Sequence, residues 1–321
     1  MRKVIAMVLL ATAALCGCQG EADSPTTPTA NGGGLADSLY HNVRPPEEYF
    51  GLVPIDLAEL NELNPEYGMR SFTQQDYQAA LAKLGANGPE ALSDEEWRLV
   101  VAVSWYAYVM QAETIKYRVV EWDASSQKQR DTLVEERYYQ FGQPEYGLVP
   151  LLVARHMVER DHSGEPSATP SRETPADETI GLYELTGAGG ETVILTQWER
   201  RGDQWTCQRG DAGGNYVWGT WLHLYPDVGF VSARRADTEI VEGRPAYKLR
   251  GLAKFEKESL VPAFYWLDVE TLLPIQYEYR KTRPAHEEGN TQRFTILEVN
   301  GEVDIQPPDV DITCEEKDFE P

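Results

Sequence analysis

The sequence predicts an α+β protein, mainly antiparallel β, in which a helical segment precedes ten or eleven strands joined by hairpins. Three observations predict it. From residue 115 onward, short β-type runs alternate with turn residues. Before that point, two capping patterns open helices. No repeat of about 20–50 residues is evident, which argues against a solenoid or a propeller. The 321 residues include 8 Trp, 17 Tyr and 8 Phe and are 41% hydrophobic, enough to build a core and to exclude disorder throughout. With 52 Asp and Glu against 29 Lys and Arg, the net charge is −23, which argues against a nucleic-acid partner because backbone phosphates are repelled. Four cysteines are too few for a disulfide-built scaffold.

At the N-terminus, Arg2 and Lys3 precede Val4–Leu15, a stretch apolar except for Thr12. It is shorter than the roughly 20 residues of a bilayer span and has the size of a secretory h-region. Leu15-Cys16-Gly17-Cys18 follows, and it resembles the lipobox of bacterial lipoproteins. Residues 1–17 then read as a lipoprotein signal peptide. Acyl chains on Cys18 would hold the protein to the membrane from outside the cytoplasm, on the cell membrane or the outer membrane, each buried methylene adding about 0.8 kcal/mol. Residues 18–40, rich in Pro, Thr, Ser and Gly, read as a flexible tether spanning about 25 Å.

Residues 41–112 form the predicted helical segment. Thr73 and Asp76 fit a cap, Gln74 to Leu84 favours helix, and Gly85 with Asn87-Gly88-Pro89 stops it. Ser93 and Glu96 make a second capping box. The helix that follows carries one apolar stripe at Trp97, Val101, Trp105 and Tyr108, and another at Val100, Val103, Ala107 and Met110. Apolar on more than one side, it is expected to lie buried across a sheet.

The strand-like runs cover 115–122, 132–141 and 148–160, then 180–186, 191–199, 204–209 and 215–225, with a Pro/Ser/Thr/Glu loop at 163–177. The last third adds runs around 237–250, 263–280 and 291–305. Period-2 alternation is visible where Ile275, Tyr277 and Tyr279 oppose Gln276, Glu278 and Arg280. Asp309 to Glu320, with six acids and one Lys, reads as a solvated tail.

Three segments carry a family resemblance: Val241-Glu-Gly-Arg-Pro-Ala-Tyr247-Lys-Leu249, Phe264-Tyr-Trp266-Leu-Asp268-Val-Glu-Thr271-Leu-Leu-Pro274-Ile275, and Val299-Asn300-Gly-Glu-Val303-Asp-Ile305-Gln-Pro307-Pro308. In this order they resemble the LolA-like lipoprotein fold, which includes periplasmic lipoprotein carriers, lipid-carrying mycobacterial lipoproteins and a lipoprotein-sensing regulator domain. The middle segment is the most telling, since Asp268 and Thr271 are placed to bond a turn backbone. The resemblance implies an incomplete (half) β-barrel over residues 113–321, with helices packed on it and acyl chains held on its concave face. Carriers of this family are soluble, whereas Cys18 would anchor this chain, which favours a receptor, a lipid-binding lipoprotein or a sensor.

No GxSxG, HExxH, P-loop, GxGxxG or CxxC motif occurs, so no enzyme activity and no cofactor are predicted. His156 and His162 read as surface histidines rather than a metal site. Two Arg-Gly-Asp tripeptides, at Arg201–Asp203 and Arg209–Asp211, are explained by turn chemistry. Trp266, Ile275, Tyr277, Phe294 and Ile296, apolar members of neighbouring strands, are the candidate ligand-lining residues. They are alternatively core, and the sequence leaves open which sheet face is concave. The leading expectation is a membrane-anchored lipoprotein that binds a hydrophobic ligand, an acyl chain or a lipoprotein lipid. The alternative is an interaction or sensor module without lipid cargo. Cys207 and Cys314 remain after maturation in an exported chain, where they either form a disulfide or stay unpaired.

Overall fold

The computed structural model describes residues 39–44, 46, 73–123, 128–143, 147–163, 177–186, 192–212, 232–255, 259–281, 290–317 and 319. The chain divides into a unit Met1–Asp37 and a unit Ser38–Pro321, and the described residues all belong to the second. Cys18 with the signal peptide, most of the 18–40 and 163–177 segments, and the 215–225 run lie outside the described residues.

Helix α1, Gln74–Asn87, opens with the capping box expected of Thr73 and Asp76. The Asp76 N–H donates to Thr73 Oγ1 at 3.2 Å and the Thr73 N–H donates to Asp76 Oδ2 at 2.8 Å. It does not stop at Gly85. It runs on to Asn87 and ends at Gly88, whose φ of +76° suits glycine, with Pro89 behind it. Helix α2, Asp94–Gln111, opens with the Ser93–Glu96 box and buries Trp97, Val100, Val101, Val103, Trp105, Ala107 and Tyr108. Three acids in its first turn suit the helix dipole. The end of the predicted tether (18–40) is not free: Leu39 and Tyr40 are buried against the sheet, and residues 47–72 of the predicted helical segment lie outside the described residues. Leu39 and His41 exchange backbone bonds with Val299, and Tyr40 bridges Val299 in parallel. Pro45 and Pro46 disfavour helix in the residues before them.

Twelve strands form one sheet: β1 Thr114–Asp123, β2 Lys128–Gln143, β3 Gly147–Ser163, β4 Asp177–Thr186, β5 Thr192–Arg201, β6 Gln204–Asp211, β7 Ser232–Val241, β8 Arg244–Phe255, β9 Ser259–Asp268, β10 Pro274–Lys281, β11 Asn290–Val299 and β12 Glu315–Glu316. Their order is β12-β6-β5-β4-β3-β2-β1-β11-β10-β9-β8-β7. Every pairing is antiparallel except the two-residue β12 against β6. Among the described residues the sheet does not close. Its hairpins follow local chemistry. Glu242 and Gly243, both at positive φ, make the two-residue turn between β7 and β8. Asp268 Oδ1 accepts from the Glu270 and Thr271 N–H groups at 2.8 and 2.9 Å, and Thr271 Oγ1 accepts from the Leu273 N–H at 3.2 Å. These are the two side chains expected to bond that turn.

The last segment departs from a solvated tail. Many of its acids are exposed, but beyond Val299 the chain crosses the sheet as a strap. Val303 and Ile305 pack against Ala154, Ile180, Leu182, Trp198 and Trp205. Arg137 Nη2 donates to the Ile305 carbonyl at 3.5 Å. Cys314 is disulfide-bonded to Cys207 with their Cα atoms 4.4 Å apart. The Lys317 and Phe319 N–H groups then donate to the Arg209 and Asp211 carbonyls, both at 3.0 Å, and Phe319 is buried in the main core. A Cβ at Gly210 would collide with the Lys317 carbonyl, so only glycine admits the strap there. The second Arg-Gly-Asp tripeptide therefore lies within strand β6 and not in a turn as expected, and its glycine is required by the strap.

Candidate functional site

Register divides the sheet into two unlike faces. Cross-strand partners share a face, so Leu249, Tyr265, Tyr277, Phe294, Val119 and Thr132 lie in one row, with Ile296, Tyr117 and Val134 in the next. This face is apolar and packs under α2, which meets β7, β10 and β3. Tyr277 stacks on Phe294 with ring centroids 4.4 Å apart, and the Trp105 ring stands edge-on to Tyr277 at 5.6 Å.

The opposite face is a ladder of ion pairs. Lys248 meets Glu239 at 2.7 Å, Arg293 meets Glu278 at 2.6 Å, Lys116 meets Glu135 at 2.6 Å, and Arg200 meets Glu178 at 2.6 Å. Burial pushes the Glu135 carboxyl up, but hydrogen bonds from Lys116 and His156 pull it further down, below its ordinary value. Hydrogen bonds from Lys248 and the Trp266 indole likewise hold Glu239 down. A cleft of about 450 Å³ opens here, lined by Glu239, Lys248, Phe264, Trp266, Glu278 and Arg293 among others.

The five predicted lining residues are all buried, but they are not brought together. Ile275, Tyr277, Phe294 and Ile296 lie on the helix-covered face. Trp266 pairs across with Lys248 and Gln276 and lies on the ion-pair face, with Lys248 Nζ 5.2 Å from its ring. Strand alternation forbids Trp266 from sharing a face with Tyr265, the partner of Tyr277. His156 Nε2 is 2.9 Å from Glu178 Oε1. Among the described residues no group of three His, Cys, Asp or Glu is placed to hold a metal. Arg201-Gly202-Asp203 forms the β5–β6 turn, with Gly202 at φ +60°.

The sequence reading missed a charged cluster in the apolar face. Glu136 is completely buried. Arg155 Nε donates to its Oε1 at 2.8 Å and Tyr117 Oη donates to the same oxygen at 3.3 Å, while Tyr138 Oη donates to Oε2. Arg155 lies opposite Gly181, where no side chain intrudes, and Tyr183 and Leu195 continue the face beyond it. Burial pulls the Arg155 guanidinium down, but the Glu136 carboxylate and neighbouring tyrosines outweigh it and hold the group above its ordinary value. Burial first, and then Glu136, pushes the Tyr117 and Tyr138 hydroxyls well up. The available signal was parity. Glu136 falls between Val134 and Tyr138 at period two, an inward position held by an acid.

No protein-family model matches the chain, and no curated protein matches it. Among solved structures it is similar to LprF from Mycobacterium bovis, at 11% identity over 66% of this chain and 97% of that one, with a TM-score of 0.36. It is also similar to the Mycobacterium tuberculosis lipoprotein LppX, at 11% identity over 65% and 97%, TM-score 0.36. A third is the LolA superfamily protein NE2245 from Nitrosomonas europaea, at 9% identity over 64% and 92%, TM-score 0.19. The last carries the family name that the three C-terminal segments resemble.

Proposed function

We propose that the chain is a membrane-anchored, extracytoplasmic lipoprotein that binds a hydrophobic ligand, an acyl chain, on the helix-covered face of its sheet. Cys18 is the lipidated residue, and the sheet curls around α2 as an incomplete barrel. The observation that carries the reading is a face of apolar and aromatic side chains running from β8 through β11 and β1 to β5, with α2 meeting both β7 and β3. An 18-residue helix is about 27 Å long, whereas the seven spacings from β7 to β3 would measure about 34 Å if flat, so curvature helps one helix reach both. Ligand affinity would come from apolar area, about 25 cal/mol per Å² before ordering costs. One observation favours the second reading, an interaction or sensor module without cargo. Trp105 already packs on Tyr277, so this part of the face is filled by the protein's own helix.

One experiment tests both halves. Cys18→Ser should move the protein from the membrane to the soluble fraction. That released protein should yield non-covalent lipid on solvent extraction and, once stripped, bind a pyrene-labelled alkane saturably. Unchanged membrane association would refute the anchor. Lipid-free protein that shows no saturable binding would refute the ligand and leave the second reading.

A further inference from the structure

The cleft of about 450 Å³ on the ion-pair face holds more acceptors than its own cations use. Lys248 lies against the Phe264 and Trp266 rings, with Nζ 5.1 and 5.2 Å from their centroids and 2.7 Å from Glu239 Oε1. Glu239 Oε2 takes the Trp266 indole N–H at 2.9 Å, so that carboxylate is engaged on both oxygens. Arg293 Nε and Nη2 both donate to Glu278 Oε2, at 2.8 and 2.6 Å, which leaves Oε1 without a donor among the described residues. Glu242, also in the lining, makes no hydrogen bond or ion pair among the described residues. Arg118 feels its charge, but the Arg118 fork is taken by Asp131 at 2.8 and 2.5 Å. In the lining, the carboxylates of Glu239, Glu242 and Glu278 face only Lys248 and Arg293, so one negative charge is in surplus. Turn chemistry does not explain Glu242. A two-residue hairpin turn at positive φ favours Asn, Asp or Gly, and Glu242 stands there at φ +47°. Nearby on the same lip, Ile240 is 69% exposed, the most exposed large apolar side chain among the described residues.

We propose that this cleft binds a small organic cation, a primary amine on a short apolar body, with the ammonium on the carboxylates that have acceptors to spare, Glu242 and Glu278, and the body against Ile240 and Phe264. An ammonium carries only donors, so it fills acceptors that the protein's own donors leave open, and it cancels the surplus charge. A carboxylate ligand would have to take Arg293 from Glu278 or Lys248 from Glu239, and it would add charge of the sign already in surplus. An uncharged ligand of the same shape leaves the surplus in place. The volume lies in the range of small-molecule clefts. The inference stands apart from the acyl-chain reading, because strand alternation puts Lys248, Phe264 and Trp266 on the sheet face away from α2.

The test is calorimetric titration of the full chain, in one neutral detergent throughout, with phenethylamine, with phenethyl alcohol of the same shape, and with hydrocinnamate. The amine should bind saturably, the alcohol at least about threefold more weakly, and the carboxylate not at all. Glu242→Gln and Ile240→Ser alter exposed side chains, so both variants should fold as wild type does, and each should weaken the amine about threefold. The chain carries a net charge of −23, so general attraction of cations needs its own control. Glu302→Gln, an exposed acid outside the cleft lining, should leave the amine affinity unchanged. Any of five results would overturn the inference: no saturable amine binding, alcohol or carboxylate bound as tightly, an affinity unmoved by Glu242→Gln or by Ile240→Ser, an equal loss in Glu302→Gln, or displacement of the amine by the pyrene-labelled alkane. None of them touches the acyl-chain reading, which stands or falls on the alkane's own binding.

Discussion

Replacing Cys207 and Cys314 together by alanine removes a link between residues separated by 107 positions. In a chain-entropy treatment, that loop restricts the unfolded chain by about 4.7 kcal/mol at 25 °C, a ceiling because residual structure and strain reduce it. For a domain above about 200 residues, 1 kcal/mol moves the melting temperature by roughly 2 °C, so the ceiling corresponds to about 9 °C. The double replacement is cleaner than a single one, which leaves a thiol at a position only 4% exposed. The effect is larger if the strap leaves with the link. Ile305 is 2% exposed, and burying such a side chain is worth about 1.5–3 kcal/mol. Differential scanning calorimetry of wild type, wild type under reductant and the double variant measures it. The last two should melt together, well below the first. A difference under about 3 °C between oxidised wild type and the variant, or two free thiols titrated in denatured wild type without reductant, would refute the reasoning.

Arg155→Met should cost about 3–5 kcal/mol in urea unfolding, because it leaves Glu136 buried without its cation. Adding Glu136→Leu should recover much of that loss, and a double variant no more stable than Arg155→Met would show that the buried carboxylate is not what costs. Stability should also fall in acid. Glu96, Glu135 and Glu239 are held below their ordinary 4.5 in the folded chain, so the unfolded chain takes up their protons first. The stability they give is present above about 4.5 and lost as pH falls through their lower folded values. A melting temperature that stays flat from pH 5 to pH 3 would contradict this, and Lys116→Met should shrink the Glu135 share.

What could be read from the sequence was what neighbouring residues decide. Thr73 with Asp76 and Ser93 with Glu96 announce helix starts within four residues, and Asp268 with Thr271 announces a turn the same way. What could not be read depends on partners far along the chain. Trp266 and Tyr277 both look apolar and strand-like, yet their strands pair so that Tyr265, not Trp266, meets Tyr277. The register shift between Arg137 and Tyr138 keeps Tyr138 on the same face as Glu136 while skipping a residue of β3. No local pattern announces it. Arg155 and Glu136 are 19 positions apart, and only the β2–β3 register makes them opposite. Parity marks Glu136 as inward, but it gives the same signal for Glu121 two residues beyond Val119, so parity alone does not find the buried acid.

The two ends of the sheet explain why the strap is built as it is. An open sheet offers unpaired backbone groups at both edges, a standing risk of pairing with another chain. At one end, β7 has the sequence SARRADTEIV, with four charged residues in ten, which discourages such pairing. At the other end, β6 would offer its Arg209 and Asp211 carbonyls, and the strap takes both through the Lys317 and Phe319 N–H groups. A two-residue parallel strand is weak on its own. Three devices hold it in place: the Cys207–Cys314 link just before it, the bare backbone of Gly210 that lets Lys317 approach, and Phe319 turned under into the core. The disulfide therefore does more than shorten the unfolded chain. It keeps an edge strand covered, so losing it should raise self-association as well as lower the melting temperature.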